Sequence, residues 1–409
     1  MINIHQLNSK KILIYGYGKT GKSLFSFFKK NLNSNVKVFD DNLIINKKYV
    51  IKNVVNFNAD YIFLSPGINI YNNKYTKYLK QNKKKIFTDI DLFCSLLDKT
   101  NKVIGVTGTN GKSTYCKILN YILKKNNIKS KIVGNFGLPV LNNNIKVKNC
   151  VFIVELSSYQ LDYSNQIKLD KAIILNMSPD HLDRHNTMSN YVKTKFRIFG
   201  FLKQKNYING VANDLNSNSV YKKKASKTIN ISKFNKDICQ NKKFLKLFLD
   251  NFKIKNYKFP KSKVVLSHRN EIIRNYKNFI FINDSKSTNS ASLKHSLSKY
   301  NNIILICGGL IKKGDNWQLG SLKKKIKITY IIGTDPTKII YSLKKQKIKY
   351  YVSIKLSKTI DIIKEKYLKL KTKNKIKVTI LFSPGTSSYD QYKNFEVRGN
   401  HFKTLINAI

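Results

Sequence analysis

Acidic side chains are scarce in this chain of 409 residues: 22 Asp and Glu face 77 Lys and Arg, a formal charge of +55. Arginine is scarcer still, at five positions (Arg184, Arg197, Arg269, Arg274, Arg398), and alanine occurs six times. So basic a balance ordinarily points to nucleic acid or an anionic surface. Arginine, however, is the side chain suited to bidentate phosphate and base contacts, and 72 of these cations are lysine. Lys, Asn, Ile, Tyr and Phe share AT-rich codons, so biased composition accounts for the charge, and no specific nucleic-acid partner is expected. Cysteine is confined to five scattered positions (Cys94, Cys116, Cys150, Cys239, Cys307) with no CxxC pair, which argues against a disulfide framework or a thiolate zinc site. No run approaches the ~18 apolar residues of a membrane span. The opening MINIHQLNSKKILIYGYG lacks a secretory pattern and reads as a first strand, so a reducing cytoplasm is the expected location.

Apolar residues make up 42% of the chain and aromatics 12%, enough for ordinary cores. Short β-branched runs recur from end to end: KILIYGYG, VKVFD, YIFLSPG, KVIGVTG, FIVELSS, KAIILNMS, FIFINDS, NIILICGG, ITYIIGT and KVTILFSPG. Each runs into Gly, Ser, Thr, Asp or Asn, and helical stretches separate them. That alternation predicts an α/β protein of parallel sheets wrapped by helices, with functional loops at the strands' carboxyl ends. Three blocks are expected, 1–95, 96–265 and 266–409.

The most informative segment is Gly105-Val-Thr-Gly-Thr-Asn-Gly-Lys-Ser-Thr114, directly after the strand KVIGV. A glycine loop between strand and helix offers backbone N–H groups to phosphate, and the helix N-terminus adds positive potential. Lys112 would reach the outer phosphates and Ser113 would hold Mg²⁺. Val106 stands where the usual spacing puts glycine, so this is a shorter variant of the phosphate loop. Glu155 closes the strand VFIVE and suits Mg²⁺; a helix cap or a surface position is the alternative. In Asn176-Met-Ser-Pro-Asp-His-Leu-Asp-Arg-His185 two Asp, two His and one Arg crowd six positions of an acid-poor chain. There His181 would ligate a metal or contact an acyl-phosphate, unless the carboxylates only cap a helix. Gly16-Tyr-Gly-Lys-Thr-Gly21, with Asp40 downstream, is a dinucleotide fingerprint that suits NAD, FAD or another nucleotide diphosphate.

Taken in order, TGTNGKST, ELSSYQL, NMSPDHLDRH, NDSKSTN and SPGTSSYDQYKNFEVRGNHF resemble the Mur ligases, from Gly16 to Phe402. NDSK and DQYKNFEVRGN resemble the branch that adds D-glutamate. The resemblance implies a Rossmann-like N-terminal domain for the UDP moiety, a central P-loop-type ATPase α/β domain, and a Rossmann-like C-terminal domain for the incoming amino acid. It also implies a monomer that uses ATP and Mg²⁺ to join D-glutamate to UDP-N-acetylmuramoyl-L-alanine through an acyl-phosphate.

Position by position, Gly108, Thr109, Asn110, Gly111, Lys112, Ser113 and Thr114 match the ATP loop, with Asn235, Arg269 and Asp284 as further nucleotide contacts. Ser113, Glu155, His181 and Lys195 match the metal positions, Lys195 as a carbamate, and Lys112, His181 and Lys195 form the implied catalytic set. Thr20, Asp40 and Gly67 match the uridine diphosphate site, and Asn135, Ser157 and Ser158 the muramoyl-alanine end. Lys286, Thr288, Lys312, Ser388 and Phe395 match the D-glutamate pocket. Asp41-Asn42 replaces the family's Thr-Arg, and Lys313 competes with Lys312 for its position. Three alternatives differ in readable ways. A neighbouring muramoyl-peptide or folate ligase should lack NDSK and the DQYKNFE ending. A nicotinamide oxidoreductase leaves the phosphate loop unexplained. A polyanion-binding protein leaves all five motifs unexplained.

Overall fold

The computed structural model describes residues 2–42, 48–136, 138–143, 145–203, 209–212, 227–229, 266–368 and 377–409, together with Leu245, Leu249, Ile254 and Tyr257. The expected contact Asn235 lies outside these residues. Strands β1 (Lys11–Tyr15), β2 (Asn35–Phe39), β3 (Tyr61–Leu64) and β4 (Ile86–Phe87) form a parallel sheet in the order β2-β1-β3-β4. A second parallel sheet contains β5 (Lys102–Thr107), β6 (Ser130–Gly134), β7 (Val151–Glu155), β8 (Lys171–Ile174), β9 (Asn209–Ala212) and β10 (Lys227–Ile229), in the order β10-β9-β8-β5-β7-β6.

The third sheet comprises β11 (Glu271–Tyr276), β12 (Phe279–Asn283), β13 (Ile303–Gly308), β14 (Ile326–Ile332), β15 (Tyr350–Ile354) and β16 (Val378–Phe382), ordered β11-β12-β16-β13-β14-β15. It is mixed rather than wholly parallel, because β11 runs antiparallel to β12. A short Lys277-Asn278 turn joins those two strands, and so tight a connection permits only the antiparallel pairing.

Strands covered on both faces need continuous apolar sequence, and β7, β13 and β16 are buried along their whole length. In the third sheet, Ile303, Leu305 and Cys307 of β13 pack with helices Ser290–Lys299 and Thr337–Lys345. Ile304 and Ile306 pack with helices Leu356–Ile363 and Phe395–Asn407 on the opposite face. The chain divides into two compact units, Met1–Met177 with Thr187–Lys261, and Ser178–Asn186 with Ser262–Ile409.

Thr88 caps helix Asp89–Leu96 in a reciprocal capping box with Asp91. Asp89, 4% exposed, opens that helix with one carboxylate oxygen unpartnered, and burial pushes its carboxyl up from 3.8 to about 7.

Candidate active site

In the second sheet β5 lies between β7 and β8, so the loops leaving those three carboxyl ends are neighbours. The loop after β5 ends at Gly111, which caps helix Lys112–Lys125 with φ 81°. Nothing lies within 4 Å of a Cβ built there, so backbone conformation rather than space calls for glycine. The first turn of that helix presents N–H groups and the positive end of its dipole, the arrangement that binds phosphate. Ser113 is buried and Thr114 half-buried in this turn.

Lys112 folds back over the loop, and its Nζ donates to the carbonyls of Gly108 (2.8 Å) and Thr109 (2.9 Å). Lys195, on helix Met188–Gly200 and 1% exposed, donates to the same Gly108 carbonyl (3.0 Å) and to Thr107 Oγ1 (3.2 Å). Its ammonium stands 4.9 Å from the ring centroid of Tyr191, one helical turn earlier, whose hydroxyl bonds Thr109 Oγ1 at 3.0 Å. The structure thus brings together the loop, Lys112 and Lys195.

Glu155, at the end of β7, is 2% exposed, which rules out the surface reading. Its Oε1 accepts from Asn135 Nδ2 (3.1 Å), and its backbone carbonyl accepts from Asn135 N–H (2.8 Å). Its Oε2 has no partner. A buried carboxylate oxygen left bare is costly, and a hard divalent cation is a ligand that resolves it, so the residue fits Mg²⁺. Among the described residues no three His, Cys, Asp or Glu side chains gather as a metal site. A Mg²⁺ site would therefore also draw on hydroxyl, water or phosphate oxygens. Ser157 caps helix Ser158–Tyr163 in a box with Gln160, and Ser158 is buried.

His181 belongs to the second unit, whereas Ser113, Glu155 and Lys195 belong to the first. It sits at φ 55° at the start of helix Leu182–His185, with its Nε2 3.6 Å from Asp180 Oδ2. Asp180 is buried and accepts from Lys312 Nζ (2.7 Å) and Asn289 Nδ2 (3.4 Å). Lys313 is exposed, so Lys312 is the inward lysine of the pair.

In the first sheet the strand order reverses at β1, and a ligand crevice opens where loops diverge at such a switch point. Ser65, after β3, donates through Oγ to the Gly16 carbonyl (2.8 Å) and ties the two loops together. Thr20 lies in the first turn of helix Lys19–Asn31, and Gly67 is exposed. Asp40 accepts from the N–H groups of Tyr17 (2.6 Å) and Asn42 (3.0 Å), so it shapes the fingerprint loop. Asp41 accepts from the buried Tyr15 hydroxyl at 3.1 Å.

The third sheet gathers the remaining residues at its carboxyl ends. Lys286 Nζ lies 3.6 Å from the Phe395 ring centroid, Thr288 is half-buried and Ser388 buried. Asp284 is a buried hub: Ser296 and Ser383 hydroxyls donate to Oδ2 (2.6 and 2.8 Å), and the Asn270 N–H donates to Oδ1 (3.1 Å). Burial raises its pKa, while these bonds and the nearby Arg269 charge oppose the rise.

Arg398 was given no role by sequence reasoning. It is 1% exposed and donates to Ser285 Oγ (3.1 Å) and to the carbonyls of Ser285 (3.0 Å), Thr386 (3.1 Å) and Ser387 (3.3 Å). It therefore fastens the SPGTSS loop to the NDSK loop; the available signal was an arginine in a chain that otherwise uses lysine. Trp317, also buried, packs against the SPGTSS loop so closely that a Cβ on Gly385 would lie 2.9 Å from its ring.

A parallel sheet whose central strand enters a glycine loop, closed by a helix opening on Lys-Ser, defines a phosphate-loop α/β protein. Residues 106–278 match the Mur ligase middle domain. The chain is 31% identical to the UDP-N-acetylmuramoylalanine–D-glutamate ligase of Francisella tularensis subsp. mediasiatica, over 97% of this chain and 95% of that protein. It is 32% identical to the ligase of the same name from Francisella philomiragia, over 97% and 96%. The chain belongs to the Mur ligase family, as its motifs suggested.

Solved structures share the fold. The MurF ligase of Thermotoga maritima in complex with ADP superposes with a TM-score of 0.57 at 15% identity, covering 100% of this chain and 98% of that one. The UDP-N-acetylmuramate-alanine ligase MurC of the same organism gives 0.56 at 12%, covering 98% and 99%. Among the described residues no helix is long and apolar enough to cross a membrane.

Proposed function

We propose that this chain is an ATP-dependent ligase that joins D-glutamate to UDP-N-acetylmuramoyl-L-alanine, a cytoplasmic monomer serving peptidoglycan precursor synthesis. The observation that carries the reading is buried Glu155, with one bare oxygen at the end of the strand beside the phosphate loop. The near full-length match to ligases named for D-glutamate supports the choice of amino acid.

The ATP phosphates rest on the helix N-terminus after Gly111, and Lys112 exchanges the loop carbonyls for phosphate oxygens. Ser113, Glu155, His181 and Lys195 as a carbamate would hold Mg²⁺, which offsets charge on the phosphate oxygens when bound. Arg269, Asp284 and Asn235 serve the nucleoside end. Thr20, Asp40 and Gly67 hold the uridine diphosphate, and Asn135, Ser157 and Ser158 hold the muramoyl-alanine.

A free carboxylate is a poor electrophile, so a substrate carboxylate oxygen first bonds the γ-phosphorus as ADP leaves. The D-glutamate nitrogen then bonds the acyl carbon, the C–O bond to phosphate breaks, and the amine loses a proton. The protein's part is mostly positioning and charge stabilisation. Lys286 and Lys312 meet the two carboxylates of D-glutamate, and Thr288, Ser388 and Phe395 complete its pocket. The divisions 1–95, 96–265 and 266–409 would correspond to domains centred on the UDP moiety, on ATP and on the incoming amino acid.

The test is phosphate release with UDP-N-acetylmuramoyl-L-alanine, ATP and one of D-Glu, L-Glu, L-Ala or meso-diaminopimelate. D-Glu alone should support turnover; activity only with another amino acid rejects the assignment.

A further inference from the structure

Asn176 lies two residues beyond β8, beside the phosphate loop. The register that pairs Thr107 of β5 with Ile174 of β8 continues past both strands. The Leu175 N–H donates to the Thr107 carbonyl (2.9 Å), and the Thr109 N–H donates to the Asn176 carbonyl (3.0 Å). The last rung is made by a side chain. The Asn110 N–H donates to Asn176 Oδ1 (2.8 Å), and Asn176 Nδ2 donates to the Asn110 carbonyl (2.9 Å). A carboxamide carries the donor and acceptor of a peptide group, so the Asn176 side chain closes a two-bond ring on Asn110 of the kind an antiparallel pair makes, which the parallel ladder of β5 and β8 does not supply.

Asn176 thus occupies the Thr109 N–H through its backbone carbonyl and the Asn110 N–H through its side chain. The carbonyls of Gly108 and Thr109 are taken by Lys112 and Lys195. The N–H groups of Thr109 and Asn110 are thereby engaged by the protein itself, and the anion cradle begins beyond them, at the helix N-terminus. We infer that Asn176 is a positioning residue for nucleotide binding: it touches no phosphate, but it holds the loop in the one shape that aims the first turn of helix Lys112–Lys125 at the phosphate chain. This rests on the reading of that loop as the ATP site.

The test compares Asn176→Ala with the unaltered full-length chain by calorimetric titration with ATP and Mg²⁺, and separately with UDP-N-acetylmuramoyl-L-alanine. Loss of two hydrogen bonds at an ordered loop should weaken ATP binding by about 10- to 100-fold. Binding of the UDP-sugar should stay within about twofold, and KM for ATP should rise more than kcat falls. Asn176→Asp keeps the acceptor for the Asn110 N–H and guards against a misfolded alanine variant. With ADP, whose charge is smaller, it should bind more tightly than Asn176→Ala. Unchanged ATP affinity in Asn176→Ala, or equal losses for ATP and the UDP-sugar, overturns the clamp. Failure of the unaltered chain to bind ATP overturns the reading of the site and the clamp with it.

Discussion

Replacing Asp89 by Asn should change how folding stability depends on pH. The side chain is 4% exposed, has one oxygen without a partner, and titrates at about 7 instead of 3.8. Burial is the main cause; the repulsion of Asp91 adds to it, and a bond from the Ile90 backbone opposes it. A folded-state pKa above the unfolded one means that the fold prefers the neutral acid. The stability associated with this group is full below about pH 4, is lost as pH rises towards 7, and is flat beyond.

The displacement from 3.8 to about 7 corresponds to about 4 kcal/mol between the two ends of that window. Asparagine has the same shape and no charge but buries an amide N–H, at a cost of about 1–3 kcal/mol. Asp89→Asn should therefore be more stable than the parent by about 1–3 kcal/mol near pH 8 and lose that advantage near pH 5. Urea unfolding followed by circular dichroism at fixed salt, with the transition of parent and variant compared at each pH, measures the difference, which includes the Asp89–Asp91 repulsion that the variant lacks. A parent–variant gap that does not change between pH 5 and pH 8 refutes the argument.

Lys112→Ala should lower turnover by roughly 10²–10³-fold with UDP-sugar binding unchanged; a near-normal rate in steady-state kinetics removes Lys112 from the mechanism. Glu155→Gln keeps the volume but not the charge, and the Mg²⁺ concentration for half-maximal activity should rise at least about tenfold; an unaltered Mg²⁺ curve counts against the metal role. Arg398→Lys substitutes a point charge for a fork that reaches four acceptors, so denaturation should show a loss of about 2–4 kcal/mol and the KM for D-glutamate should rise. Equal stability and KM in that variant would mean the two loops hold together without it. With a charge of +55, the melting temperature should rise with added salt, and a flat profile would show that self-repulsion is unimportant.

Strands at the centre of each sheet were readable because burial on both faces demands unbroken apolar runs, as in IILICG of β13. The strands absent from that reading include the edges β4, β6, β11 and β15. β4 has two residues, and β11 and β15 alternate between covered and open positions, as one-sided contact allows. The phosphate loop and Glu155 were legible because their chemistry is local to a strand end. Arg398, Asn176 and the Asp284 hub were not, because their partners come from elements distant in sequence. A side chain's hydrogen-bond assignment across loops is a tertiary fact with no short-range spacing.

The molecule's single indole, Trp317, lies under the turn that holds Ser388. Intrinsic emission from this chain therefore comes from one address, free of overlapping signals from other tryptophans. Any ligand that tightens or displaces that turn writes its own optical record, and occupancy of the proposed amino-acid pocket becomes measurable in the unlabelled enzyme, even when no turnover occurs.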